Sequence, residues 1–207
     1  MKYRTIPNMK WKPSALGFGA MRLPVISGNQ GNVDIPEAIH MIRYAIDQGI
    51  NYLDTAYFYH AGNAEQAVAE ALKDGYREKI KLATKFPARY VKSSADFDHA
   101  FQEQLERLKT DRIDFYLLHG LNRNGFERLK GMGILPWLEN MVAKGKLGYL
   151  GFSFHDDYEV FKQIADVWDN WTFCQVQFNF MDIDYQAGRR GIKYAASKGL
   201  GVMIMEP

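Results

Sequence analysis

The chain has 207 residues, 47% of them hydrophobic, and its 26 basic and 24 acidic side chains leave a net charge of +2. That fits an ordinary globular domain with a sizeable core, and without any block of like charge it offers no footprint for nucleic acid or a charged membrane surface. A single cysteine, Cys174, excludes an internal disulfide and a four-thiolate zinc site, and it suits a reducing cytoplasm. Taken in chain order, the predicted elements alternate. "ALGFGAM" (Ala15 to Met21) reads as the first strand. Asp34 and Glu37 resemble a capping box ahead of a helix whose stripe is Ala38, Ile39, Met41, Ile42, Ala45 and Ile46, stopped by Gly49. A short strand from Ile50 to Leu53 and a helix from Asn63 to Lys73 follow, then the strand Ile80 to Lys85. Ser94 is read as the cap of a third helix, which leads to the strand Ile113 to His119. A helix over Gly125 to Lys144, broken near Gly131 and Gly133, precedes the strand Leu147 to Ser153. A helix from Asp156 to Trp168, the strand Thr172 to Phe178, a helix to Lys198 and the strand Gly201 to Met205 complete the series, with Cys174 a small core residue.

Seven strands joined by six helices predict a parallel sheet with right-handed crossovers, in one domain over residues 1–207. Two architectures fit, an open doubly wound sheet or a (β/α)8 TIM barrel. Gly17-Phe18-Gly19 begins like a dinucleotide fingerprint, but Arg22 stands where the third small residue belongs, and a loop follows instead of a helix. The barrel is therefore preferred. The segment before the first strand is expected to form an N-terminal hairpin, turning near Pro7 and Asn8 and capping the barrel bottom.

In such a barrel the active site gathers at the C-terminal strand ends. Three consecutive strands end in reactive side chains: Asp54, with Tyr59 in the loop after it, then Lys85, then His119. Each alone has an ordinary structural explanation, as a turn cap, a packed phenol, a snorkelling lysine or a hydrogen-bonded histidine. Together they make chemical sense. An ammonium lowers the pKa of a neighbouring phenol, a carboxylate keeps that ammonium charged, and a histidine can orient a carbonyl. The set lacks a nucleophile and a metal, so the missing reactant is a hydride donor. Tyr57 and Phe58 read as spacers that turn Tyr59 inward, and His60 as an exposed loop residue.

These motifs resemble the aldo-keto reductase superfamily over nearly the whole chain and in order: "LGFGAMRLP", "NYLDTAYFYHAGNAE", "LATKF", "DRIDFYLLHG", "KGKLGYLGFSFHD" and "CQVQFNF". The resemblance implies a (β/α)8 barrel that binds NADP(H), with NAD(H) as the alternative, and moves a hydride to or from an aldehyde, ketone or alcohol. It implies Tyr59 as proton donor, Asp54 and Lys85 as its tuning pair and His119 as carbonyl orienter. It assigns the cofactor to Ala20, Met21, Ser153, Gln175 and Met205, with Ser153 and Gln175 on the carboxamide and Met205 beneath the nicotinamide. His155 stands where many relatives carry Asn, and either joins the carboxamide or faces solvent. Gly120 leaves room where relatives are often bulky, and Asn179 is given no role. "GFSFHD" with the ending "MIMEP" is most similar to a bacterial and archaeal subgroup that often carries an iron–sulfur-type extension, which is absent here.

The sequence ends just after the seventh strand, so the barrel is expected to be truncated and the chain to be a fragment of a longer protein; the alternative is a short form that closes its barrel with a partner. Whether it forms an oligomer is left open. Two other functions stay in view: a non-catalytic reductase-like subunit that binds nicotinamide, and a metal-dependent barrel hydrolase. The hydrolase suffers from having no H-x-H pair among His40, His60, His99, His119 and His155.

Overall fold

The computed structural model describes all 207 residues. Seven strands form a single sheet: β1 (Phe18–Gly19), β2 (Tyr52–Asp54), β3 (Lys81–Phe86), β4 (Ile113–Leu121), β5 (Leu147–Phe154), β6 (Phe173–Gln177) and β7 (Gly201–Met205). Spatial order equals chain order, and every neighbouring pair is parallel. The crossovers carry α1 (Ile35–Asp47), α2 (Ala64–Ala71), α3 (Asp96–Leu108), α4 (Arg123–Gly131), α5 (Ile134–Ala143), α6 (Tyr158–Asp166) and α7 (Gly188–Ser197). This is a (β/α)8 barrel lacking its last unit, with β1 and β7 as the free edges.

Alternation along each strand sorts the side chains into two cores. One set, with Tyr116, Leu118 and Phe152, faces the helices in a cluster of 45 buried residues. The other set faces the barrel axis: Tyr52, Ala83, Phe115, Leu117 and Phe173, closed below by Ile6 and Met9. Those two residues come from the N-terminal hairpin. Arg4 N–H donates to the Pro13 carbonyl (2.8 Å), Ala15 N–H donates to that of Lys2 (2.7 Å), and the turn at Pro7–Asn8 takes Asn8 to φ 61°. The hairpin is fastened by Asn51, whose side chain accepts from Ser14 N–H (2.7 Å) and donates to the Lys12 carbonyl (3.0 Å). It plugs the bottom of the barrel, so the opposite end is where strand-end side chains can reach a ligand.

Local signals hold with three corrections. Asp34 caps α1 by accepting from Glu37 N–H (3.2 Å), and α4 and α5 are separated at Met132 and Gly133. The first strand is much shorter than Ala15 to Met21, because β2 offers it only Leu53 and Asp54 as partners; Ala20–Arg22 coil into a 3-10 turn instead. Ser94 does not cap α3 through its side chain. Asp96 organises that turn, its carboxylate accepting from Lys92 N–H (2.7 Å) and Ser93 N–H (2.9 Å). His60 is buried at 5% exposure and is no exposed loop residue.

Candidate active site

Asp54 ends β2, Lys85 lies near the end of β3, and His119 lies near the end of β4, all on the inward side of their strands. The β2–α2 connection turns back through a 3-10 segment, Tyr59–Gly62, that brings Tyr59 over them. Lys85 is 1% exposed and spends all three ammonium donors. It reaches Asp54 Oδ2 at 2.5 Å, the Thr55 carbonyl at 2.9 Å and the Tyr59 hydroxyl at 3.1 Å. His119 stands edge-on to the Tyr59 ring, with ring centres 5.9 Å apart. The four residues singled out in the sequence therefore converge at one end of the barrel.

The electrostatics follow from depth. Burial depresses the Lys85 pKa, but the Asp54 carboxylate and the Tyr59 oxygen outweigh it and hold the ammonium above its ordinary range. Burial raises Asp54, opposed by the Lys85 charge. Tyr59 corrects the expectation of a lowered phenol. Burial raises it, Lys85 pulls it down, and the net direction is upward because desolvation wins. His119 is pushed down to about 3, first by burial and then by the charges of Lys85, His155 and Arg89, so its imidazole is neutral.

The neighbours of Tyr59 do more than space it. The Phe58 ring stacks on Tyr90 at 4.2 Å and runs nearly parallel to His119 at 6.4 Å, making one aromatic wall of the mouth. Tyr57 donates its hydroxyl to Glu103 (2.5 Å) and lies under the Arg107 guanidinium at 4.1 Å. His60 is bonded on both ring nitrogens, to Leu23 N–H and the Gln30 carbonyl.

Ser153 and Gln175 face each other across β5 and β6 and are both buried. Ser153 Oγ accepts from Gly120 N–H at 2.7 Å. Gln175 Oε1 is buried with no partner. Met205 is half-buried at the end of β7. Ala20 is fully buried in the turn after β1, while Met21 beside it is 52% exposed. His155 is exposed, on the Gly120 side of the rim. Asn179, left without a role by the sequence, ties the strand ends together: its amide donates to the Glu206 carbonyl (3.2 Å), and its oxygen accepts from Met181 and Asp182 N–H.

A buried polar cluster behind β3 escapes the sequence reading. Glu65, fully buried on α2, accepts from Thr84 Oγ1 (2.7 Å) and from Gln104 Nε2 (2.9 Å). The same Gln104 amide reaches the Lys85 carbonyl at 3.1 Å, and the Tyr116 hydroxyl donates to Gln104 Oε1 at 2.6 Å. Lys85 is thus held by its backbone from the helix side as well as by its side chain from the barrel side. The one available signal was a glutamate beside the apolar face of Ala64, Ala67, Val68 and Ala71.

A family model described as the aldo/keto reductase family matches residues 15–207. The chain belongs to that family. A methylglyoxal reductase of Escherichia coli is 33% identical over 154 residues, covering 74% of this chain and 49% of that protein. An aldo-keto reductase described as probable, from Glycine max, is 34% identical over 149 residues, covering 68% of this chain and 41% of its own length. The chain thus spans less than half the length of these curated relatives. Among solved structures, an aldo-keto reductase of Bacillus halodurans in its holo form superposes with TM-score 0.78 at 28% identity, over 99% of this chain and 65% of that one. One from Klebsiella pneumoniae in complex with NADPH gives 0.75 at 25% identity, over 100% and 69%. No helix is long and apolar enough to cross a membrane.

Proposed function

We propose that this chain supplies the catalytic end of an oxidoreductase that exchanges a hydride between NADP(H) and a carbonyl or alcohol substrate, with Tyr59 as proton donor. The single observation that carries this reading is the Lys85 ammonium, its three donors spent on Asp54, the Thr55 carbonyl and the Tyr59 hydroxyl beside a neutral His119. NADP(H) is the cofactor in the reading because a relative of this fold is described in complex with NADPH.

The side chains fit the amide of such a cofactor. A carboxamide needs one acceptor for its NH2 group and one donor for its oxygen. Gln175 Oε1, buried and unpartnered, is an acceptor in waiting. Ser153 has accepted the Gly120 N–H, and its own hydroxyl hydrogen remains to donate. When bound, NADP(H) supplies or accepts the hydride. The chain's own residues manage the proton and the carbonyl. The Tyr59 O–H donates to the substrate oxygen, and Lys85, 3.1 Å from the phenol oxygen, stabilises the phenolate left behind. Neutral His119 donates an N–H to the same substrate oxygen and fixes its direction. Asp54 keeps Lys85 charged and in place. Small aldehydes, ketones and alcohols are the proposed substrates.

The test is Tyr59→Phe in the intact protein, read as NADPH consumption with a panel of small aldehydes. A loss of about 10²- to 10⁴-fold in kcat with the fold retained is expected for a lost general acid. An unchanged rate overturns the reading.

A further inference from the structure

The loop after β1 is a small hairpin. Val25 and Val33 pair in an antiparallel bridge, Ile26 N–H donates to the Asn32 carbonyl (2.9 Å), and Asp34 N–H to that of Pro24 (2.8 Å). One imidazole ties the start of the hairpin to its tip. Leu23 N–H donates to His60 Nε2 at 3.0 Å, and His60 Nδ1 lies 2.9 Å from the Gln30 carbonyl. These partners fix the protonation pattern. A backbone N–H can only donate, so Nε2 must be bare; a carbonyl can only accept, so Nδ1 must carry the hydrogen. A second tie runs from the Asn63 amide to the Gly31 carbonyl at 2.7 Å.

The backbone at this point is unusual. His60 (φ 53°) and Ala61 (φ 55°) are consecutive non-glycine residues in the left-handed region, directly after Tyr59. Each such residue costs about 1–2 kcal/mol and persists only where its surroundings over-determine it. The ring of His60 supplies that constraint. We propose that His60 is a positioning residue: as a neutral Nδ1–H imidazole it locks the hairpin after β1 and the turn carrying Tyr59 into one body, so that the proton donor and the Ala20–Met21 rim keep a fixed relation. This deepens the oxidoreductase reading and, for its kinetic consequence, rests on it.

The experiment uses the intact protein and three variants, with two readouts independent of activity. Two-bond proton–nitrogen spectra of the imidazole, recorded at alkaline pH, are expected to show His60 with Nδ1 protonated and Nε2 bare. The opposite tautomer overturns the proposal. Amide hydrogen exchange in His60→Gly is expected to accelerate in the hairpin and in the Tyr59 turn together; acceleration confined to one of them overturns the coupling. In kinetics, His60→Ala lowers kcat for aldehyde reduction about 10- to 100-fold. His60→Asn, which tolerates the left-handed backbone and offers both an acceptor and a donor, recovers most of it. His60→Gly relaxes the backbone without replacing the ring, so it stays slow even where stability returns. A His60→Gly enzyme with unchanged kcat overturns the proposal, and that variant decides the matter if His60→Ala fails to fold. If Tyr59→Phe leaves reduction intact, the oxidoreductase reading fails, while the tautomer and exchange results still judge the clamp.

Discussion

Lys85 and Asp54 form a buried ion pair, Nζ to Oδ2 2.5 Å, in which each charge depends on the other. Removing one partner strands a charge in the barrel. Asp54→Leu and Lys85→Met are each expected to cost about 3–5 kcal/mol, whereas the double variant recovers most of that loss, since an apolar pair replaces a charged one. On the proposed reading, none of the three should reduce aldehydes. Urea unfolding midpoints check this; singles as stable as the parent would show that the pair is solvated.

Tyr59 gives a prediction about direction. In the proposed reaction, reduction needs the protonated phenol, and burial keeps Tyr59 protonated through neutral pH. On the same reading, alcohol oxidation needs the phenolate as base, so its rate should still be climbing at alkaline pH. Lys85→Met removes the charge that favours the phenolate and should move that rise further up. A pH profile of oxidation that levels off at neutral pH would contradict the upward shift.

His119 couples the site to stability. Its value of about 3 in the folded chain lies below the ordinary imidazole value of about 6.5. Between those limits the unfolded chain binds more protons, so stability falls as pH drops below about 6.5, by at most about 1.4 kcal/mol per pH unit. Above that value His119 contributes no slope. His119→Asn should flatten the acid limb of a plot of unfolding midpoints from about pH 7.5 to about pH 4.5. An unchanged acid limb would mean that His119 is protonated in the fold.

What the sequence made legible divides along physical lines. Asp54, Lys85 and His119 could be read because an apolar strand has no local reason to end in a charged or titratable group, and strand ends in a barrel converge. The hairpin plug was readable from Pro7 and Asn8. The direction of the Tyr59 shift was not, because it is a balance between the Lys85 charge and burial, and depth is set by the whole fold. His60 was misread for a related reason: its partners Leu23 and Gln30 lie far up the chain, with no spacing rule linking them to a loop histidine. The same holds for Glu65, Thr84 and Gln104, which meet only when α2 and α3 pack on β3.

That cluster supports a further prediction. Gln104→Leu deprives the Glu65 carboxylate, the Tyr116 hydroxyl and the Lys85 carbonyl of a partner at once. The Tyr116 hydroxyl is left stranded while Glu65 keeps its bond from Thr84 Oγ1, so a loss of about 1–3 kcal/mol is expected. Thermal unfolding checks it, and a surface-like effect would mean that water replaces the amide.

Two glycines should respond in opposite ways to the same methyl group. At Gly151 in β5, an added Cβ would lie 2.6 Å from both the Phe173 ring and the Phe173 carbonyl. The ring is pinned by Phe115 at 5.1 Å, and the carbonyl is backbone, so neither can withdraw cheaply. Gly151→Ala is expected to destabilise by about 3 kcal/mol, the upper end for overpacking. At Gly131, which ends α4, an added Cβ meets nothing within 4 Å and the backbone is already right-handed. There alanine removes chain entropy from the unfolded state and should stabilise by about 0.5–1 kcal/mol. The pair is measured in one denaturation series. Equal midpoints would mean that β5 and β6 lie further apart at Gly151 and Phe173 than this packing requires.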